Sequence, residues 1–172
     1  MYVGIDPDTK GAIAVLDKGG ARVSVLDMPS SKVEKSHYIR GEEFIKALEG
    51  SLYACIECVG SRGGNSAQSM FSFGSGFGFG FGSALTLLYM SELSPTMPLP
   101  QEWQKHFGLT KKILGEKLDK KHIANKCLEL YPDANLYGPR GGLKDGRSDA
   151  IMIARFLFDK ITLASNKEEL PK

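Results

Sequence analysis

Cysteine is scarce in this 172-residue chain. It has three, an odd number and too few to staple a secreted scaffold, which points to a reducing compartment. An excess of either charge is lacking too. Twenty-two Lys and Arg stand against 20 Asp and Glu, a net charge of +2. Net charge therefore neither demands nor excludes nucleic acid, and the placement of the basic residues must decide. No basic region or cleavage site surrounds the first apolar run, Tyr2-Val3-Gly4-Ile5, so no secretory signal is visible. With 42% apolar and 24% charged residues, the chain is neither disordered nor fibrous, and its length suits one domain.

One stretch lacks charge altogether, from Gly63 to Ser91. Met70 to Met90 is long enough to span a bilayer, and Gly74, Gly78 and Gly82 repeat at the spacing of membrane helix contacts. Ser and Gly dilute its hydrophobicity, however, and no Lys or Arg cluster flanks it. A buried helix over Phe71 to Leu88 is expected instead, its Gly stripe leaving room for another backbone.

Around this segment, Tyr2–Asp6, Gly11–Asp17 and Ala21–Met28 read as three strands of an antiparallel meander. A polar loop follows from Pro29 to Ser36, then a helix near Gly41–Glu49. Leu52–Val59 is an apolar run suited to a strand buried on both faces, and Gly60–Asn65 is a Gly-rich loop. Thr96–Leu99 reads as a last short strand. Gln101–Phe107, Glu116–Leu130 and Ser148–Leu163 read as helices, with Pro132 and the Gly138–Gly142 loop between the last two. The order is β-β-β-α-β-α-β-α-α-α. It makes one domain over 1–163, followed by a frayed tail over 164–172.

Glu57 lies in the Leu52–Val59 strand, where an isolated charge is costly unless paired, hydrogen-bonded or metal-bound. Asp6 ends the first strand, and Asp8 sits in the following turn, where a plain turn-forming role would suffice. Asp145 and Asp149 are four residues apart and project from one side of a helix; Asp145 could equally be its cap. Four acids from three separated segments suggest a cage for Mg²⁺ or Mn²⁺, hard cations that prefer oxygen. Such cages support two-metal phosphodiester hydrolysis. The C-x-x-C of Cys55 and Cys58 has no second pair to complete a zinc site, and a strand sends the two to opposite faces. His37, His106 and His122 have no matching ligands.

Lys105, Lys111, Lys112, Lys117, Lys120, Lys121 and Lys126 crowd into a short span, and Arg140, Lys144 and Arg147 follow. A basic region beside an acidic cage suits a phosphate backbone. Lys105, Lys117, Lys120, Lys121, Lys144 and Arg147, with Arg62 in the Gly-rich loop, are the candidate DNA contacts.

With these residues in place, the chain resembles the RuvC-like Holliday-junction resolvases of the ribonuclease H-like superfamily, closest to their chloroplast-type and phage-type branch. The resemblance is carried by Gly4-Ile5-Asp6-Pro7-Asp8 with Gly11-Ala12-Ile13-Ala14-Val15-Leu16, by Glu57, and by Gly76-Phe77 with Gly80. It continues in Gln101-Glu102-Trp103-Gln104-Lys105-His106-Phe107-Gly108-Leu109, Tyr131-Pro132-Asp133 and Gly146-Arg147-Ser148-Asp149-Ala150. It implies an α/β fold with a mixed five-stranded sheet, three antiparallel strands then two parallel, flanked by helices. It also implies a homodimer that nicks four-way DNA junctions in recombination and repair, with two Mg²⁺ or Mn²⁺ ions per site, no small-molecule cofactor and no membrane. Asp6, Glu57 and Asp149 match the family's metal-binding acids, and Asp145 its fourth position, where relatives carry His or Asp. Lys117 resembles the basic residue near the scissile phosphate, with Lys120 or Lys121 as substitutes. The loop after Glu57 lacks the aromatic wedge of bacterial members. The expected compartment is the cytoplasm of a bacterium or phage-infected host, or an organelle if a leader has been trimmed.

Sugar kinases and actin-like ATPases also open on Gly-Ile-Asp but need two such domains. The nearer rivals are a related nuclease acting on structured RNA or other branched DNA, and a junction-binding protein without catalysis. The acids weigh against the last, because carboxylates repel a phosphate backbone unless a metal bridges them.

Overall fold

The computed structural model describes residues 1–33, 36–59, 66 and 74–168. Three strands form the expected meander: β1 (Tyr2–Asp6), β2 (Ala12–Leu16) and β3 (Val23–Asp27), each antiparallel to the next. The polar segment expected to be a loop instead makes a separate hairpin, β4 (Ser30–Val33) with β5 (Ser36–Ile39). Its apolar content is too low to signal strands. It is held by Arg40, whose Nη1 donates to the Ser30 carbonyl and the Ser31 hydroxyl, both at 3.0 Å. After α1 (Gly41–Ala47), β6 (Tyr53–Ile56) returns parallel to β1.

The main sheet has four strands, ordered β3-β2-β1-β6, not the five expected, and β6 is an edge strand. Thr96 makes a single parallel bridge to Cys55. Its N–H donates to the Ala54 carbonyl, and its carbonyl accepts from Ile56. The next donor in that ladder would be residue 98, a proline without an N–H, so the fifth strand stops after one bridge.

A π-helical turn, Gly74–Gly78, leads into α2 (Phe79–Met90). Then come α3 (Pro100–His106), the short α4 (Lys111–Leu114), α5 (Lys120–Leu130) and α6 (Asp145–Glu168). Among the described residues no helix is long and apolar enough to cross a membrane. α5 begins four residues later than the pattern predicts. Asp119 caps it, accepting from the His122 N–H at 3.0 Å, and a Gly115 with φ +78° precedes that cap. α6 runs to Glu168, past Ala164, where a frayed tail was expected.

Strand alternation divides the core into two layers. Val3, Ile5, Ile13, Ala54 and Ile56 point to one face and pack with Phe44, Leu48, Ala84 and Leu88. Ala12, Ala14, Leu16 and Cys55 point to the other, against Trp103, Ile123, Cys127 and the buried face of α6. Gly4 decides how closely α6 can lie: a Cβ there would collide with the Ala150 carbonyl and the Ala154 N–H. The helix therefore rests on the backbone of β1. Of the described Gly residues near α2, Gly80 makes a comparable approach, to the Pro7 carbonyl, whereas Gly74, Gly78 and Gly82 have nothing within 4 Å. The expected close approach falls on Gly80, and the stripe itself faces outward.

Candidate active site: two carboxylates at strand ends and two at a helix start

Alternation and register bring Asp6 and Glu57 together. Gly4 pairs with Cys55 and Ile5 with Ile56, so the next residues, Asp6 and Glu57, leave the sheet side by side on the α6 face. The Glu57 N–H donates to the Ile5 carbonyl at 3.1 Å, extending the ladder to this position. Glu57 and Ser148 are the buried polar residues among those described. Because α6 lies on Gly4 at Ala150 and Ala154, its first turn falls over the end of β1. A Cβ on Gly146 would sit 3.0 Å from Asp6 Oδ2 and 2.7 Å from the Gly11 Cα. Asp145 and Asp149 flank that contact.

The four charges oppose one another. Burial, then the negative charge of Glu57, push the Asp6 carboxyl up to about 7. Burial, followed by Asp6, Glu57 and Asp145, holds the Asp149 carboxyl well above the usual range. Glu57 is also raised by burial, opposed by a 2.7 Å hydrogen bond from the Trp103 indole Nε1 to its Oε1. Asp145 is ion-paired with Lys120, whose ammonium is raised by that bond.

Among the described residues, no three His, Cys, Asp or Glu side chains converge closely enough to enclose one ion as they stand. The expected cage is therefore not closed, and its members have other partners. Lys120 engages Asp145, Trp103 engages Glu57, and Asp6 Oδ1 accepts a long 3.4 Å bond from the Asp8 N–H. Among the described residues, Asp149 Oδ1 is a fully buried carboxylate oxygen with no hydrogen-bond partner. An orphaned carboxylate oxygen among like charges is a natural ligand for a hard divalent cation, and the all-oxygen donor set fits Mg²⁺ or Mn²⁺. Asp8 is a turn former, its Oδ1 accepting from the Lys10 N–H at 2.9 Å.

The basic residues separate. Of the three lysines considered for the phosphate, the structure brings Lys120 to the acids. It pairs with Asp145 and feels Asp149 and Asp6. Lys117 and Lys121 are exposed nearby in sequence, and Lys105 and Lys144 are exposed as well. Arg147 is used inside the protein. Its Nε donates to Asp27 Oδ1 at 2.6 Å, and its Nη1 to the Asn135 and Tyr137 carbonyls, with 13% of the side chain exposed. That clasp fastens the loop before α6 to β3 and leaves little for DNA. Arg62 lies outside the described residues. Cys55 is a core thiol pushed up to about 12 by burial, and no disulfide involves it. His106 pairs with Asp159 at 2.9 Å, and His122 with Glu116 and Asp119.

Sequence reasoning missed the contact between Trp103 and Glu57. A buried indole needs an acceptor for its N–H; the signal was a lone Trp on a short helix beside a strand carrying a lone buried acid.

No protein-family model and no curated protein matches the chain. Its fold is similar to that of Thermus thermophilus RuvC. In a structure of that protein in complex with a Holliday junction substrate, the match has a TM-score of 0.53 at 10% identity. It covers 92% of this chain and 94% of the other. A second Thermus thermophilus RuvC structure matches at a TM-score of 0.50 and 12% identity, over 93% and 95% of the two chains. At such identities the likeness concerns the fold: this chain has a mixed α/β, RuvC-like architecture.

Proposed function

We propose that the protein is a metal-dependent endodeoxyribonuclease that resolves four-way (Holliday) DNA junctions by paired, symmetric nicks. The observation that carries this reading is the buried Asp149 Oδ1, without a hydrogen-bond partner among the described residues, on a carboxylate that feels the charges of Asp6 and Glu57 in a RuvC-like fold. The four-residue spacing of Asp145 and Asp149 favours the chloroplast-type and phage-type branch. Asp6, Glu57 and Asp149 would hold the cations, with Asp145 as the fourth ligand once Lys120 releases it. Bound Mg²⁺ or Mn²⁺, two ions in this reading, would activate water and stabilise the leaving oxygen.

The chain's own groups do the rest. Burial of Asp6, Glu57 and Asp149 keeps bulk water from screening their charges. Lys120, standing beside Asp145, is placed to meet the scissile phosphate, and exposed Lys105, Lys117, Lys121 and Lys144 supply attraction to the backbone. Two symmetric cuts need two sites, so we propose a homodimer. The outward face of the π-helical turn and α2 supports it: among the described residues nothing lies within 4 Å of a Cβ at Gly74, Gly78 or Gly82, and Phe79, Tyr89 and Met90 are each at least half exposed.

The test is incubation with a synthetic four-way junction and Mg²⁺, mapping every cut. Paired nicks at symmetric positions are expected. Binding without metal-dependent cleavage would overturn the nuclease reading, and preferential cutting of structured RNA would transfer it to the rival substrate.

A further inference from the structure

The single Trp of this chain is buried, 1% exposed, and its indole N–H meets the buried carboxylate of Glu57 at the end of β6. An indole N–H is a donor only. It cannot ligate a cation or exchange a proton; it engages Oε1 of Glu57, and no hydrogen bond to Oε2 is formed among the described residues. The surroundings fix both partners. The Glu57 backbone is hydrogen-bonded to Ile5 of β1. The strand leading into α3 is tied to the same region, with Ile56 and Cys58 donating to the Thr96 and Pro98 carbonyls at 3.0 Å each. α3 starts directly after that tie, closed by the Glu102 carboxylate accepting from the Leu99 N–H at 2.7 Å. At its far end His106 reaches Asp159 of α6, the helix that carries Asp145 and Asp149.

We infer that Trp103 is a positioning residue for cation binding, holding the Glu57 carboxylate by Oε1 so that Oε2 is presented toward Asp6 and Asp149. The inference rests on the proposed nuclease reading, from which it takes the cation. A carboxylate without this donor could rotate about its side-chain torsions, and partners of this kind are worth about 10- to 100-fold in metal affinity.

The experiment measures Mn²⁺ binding by calorimetry on the full chain as wild type, Trp103→Phe and Asp149→Asn, beside each protein's unfolding midpoint. Phe retains the aromatic bulk and removes only the donor. About tenfold or greater weakening of Mn²⁺ in folded Trp103→Phe supports the proposal. An affinity within about twofold of wild type, while Asp149→Asn abolishes binding, overturns the Trp103 role and leaves the metal reading intact. A wild-type chain that binds no Mn²⁺ overturns both.

If Trp103→Phe does not fold, the wild-type indole N–H resonance decides, since one Trp gives one signal. It should shift on adding Mg²⁺ and stay unmoved in Asp149→Asn. A signal indifferent to Mg²⁺ in a protein that binds the ion overturns the proposal.

Discussion

Gly146 stands directly over Asp6, and a Cβ at that position would lie 3.0 Å from Asp6 Oδ2 and 2.7 Å from the Gly11 backbone. The start of α6 and the end of β1 can share the site only because residue 146 has no side chain. Gly146→Ala should therefore lift the helix start. Overpacking of this kind costs about 1–3 kcal/mol, to be read from urea unfolding of the metal-free protein. An unchanged midpoint would mean the helix start is free to shift.

Asp6→Asn, Glu57→Gln and Asp149→Asn should each lower junction cleavage by more than about 100-fold, because even outer partners of a metal site cost 10- to 100-fold. Junction affinity, which the proposed function assigns mainly to lysine–phosphate contacts, should change little in a gel-shift measurement without added metal. Near-normal nicking by any one of these variants would remove that residue from the site. Asp145→Asn should be milder, because its present partner is Lys120.

With no divalent cation bound, stability should depend on pH in a particular direction. Asp6 is raised from 3.8 to about 7, and Glu57 and Asp149 are raised as well. The native state thus binds more protons than the unfolded chain between these values. The Asp6 contribution is fully present below pH 3.8 and is lost as pH rises through about 7. Over that window the loss runs at about 1.4 kcal/mol per pH unit for one such group. Thermal unfolding in a chelator should show a falling midpoint up to neutral pH, and Mg²⁺ should restore it. Asp149→Asn should flatten the chelator curve; a curve as steep as wild type would assign the effect elsewhere.

Lys120→Ala should reduce the single-turnover cleavage rate on the order of 100-fold, the scale of losing one electrostatic stabiliser at a reacting oxygen. Lys117→Ala, at an exposed position before the helix, and Lys126→Ala, at a lysine paired with Glu129, should each cost far less. Equal losses from all three would mean the lysines act only as a diffuse field.

Gly78→Leu tests the proposed dimer. Among the described residues nothing lies within 4 Å of a Cβ at residue 78, so they leave room for the larger side chain within one subunit. Light scattering should find a dimer for the wild type and a monomer for the variant, with no loss in unfolding midpoint. Paired cuts should then decay to uncoupled nicks. A wild-type monomer, both free and junction-bound, would sink the dimer.

The meander and every helix but the short α4 were legible because local rules govern them. Period-two alternation marks β1 and β2, a lone acid in an apolar run marks Glu57, and a four-residue spacing sets Asp145 and Asp149 on one side of a helix. The β4–β5 hairpin escaped notice because Ser, Lys and His carry no apolar alternation, and Arg40 holds it from outside its own strands. Arg147 reads as a DNA contact from its neighbours in sequence, yet its partners are Asp27, Asn135 and Tyr137, which only folding brings near.

By itself, the sequence determined which residues are buried strands, which are amphipathic helices and which acids could not lie in a core without a partner, since each follows from local period and desolvation cost. Tertiary structure alone decided the rest. Pro98 ended the fifth strand by withholding one donor from a ladder whose other side is β6. Gly4 and Gly146 set the depth at which α6 crosses the sheet. Lys120 rather than Lys117 reached Asp145, because Asp119 starts α5 where it does. Trp103 met Glu57 across 46 residues of chain, a contact no local pattern encodes. Such pairings depend on distances between elements, and those distances are set by packing of the whole core rather than by any one segment.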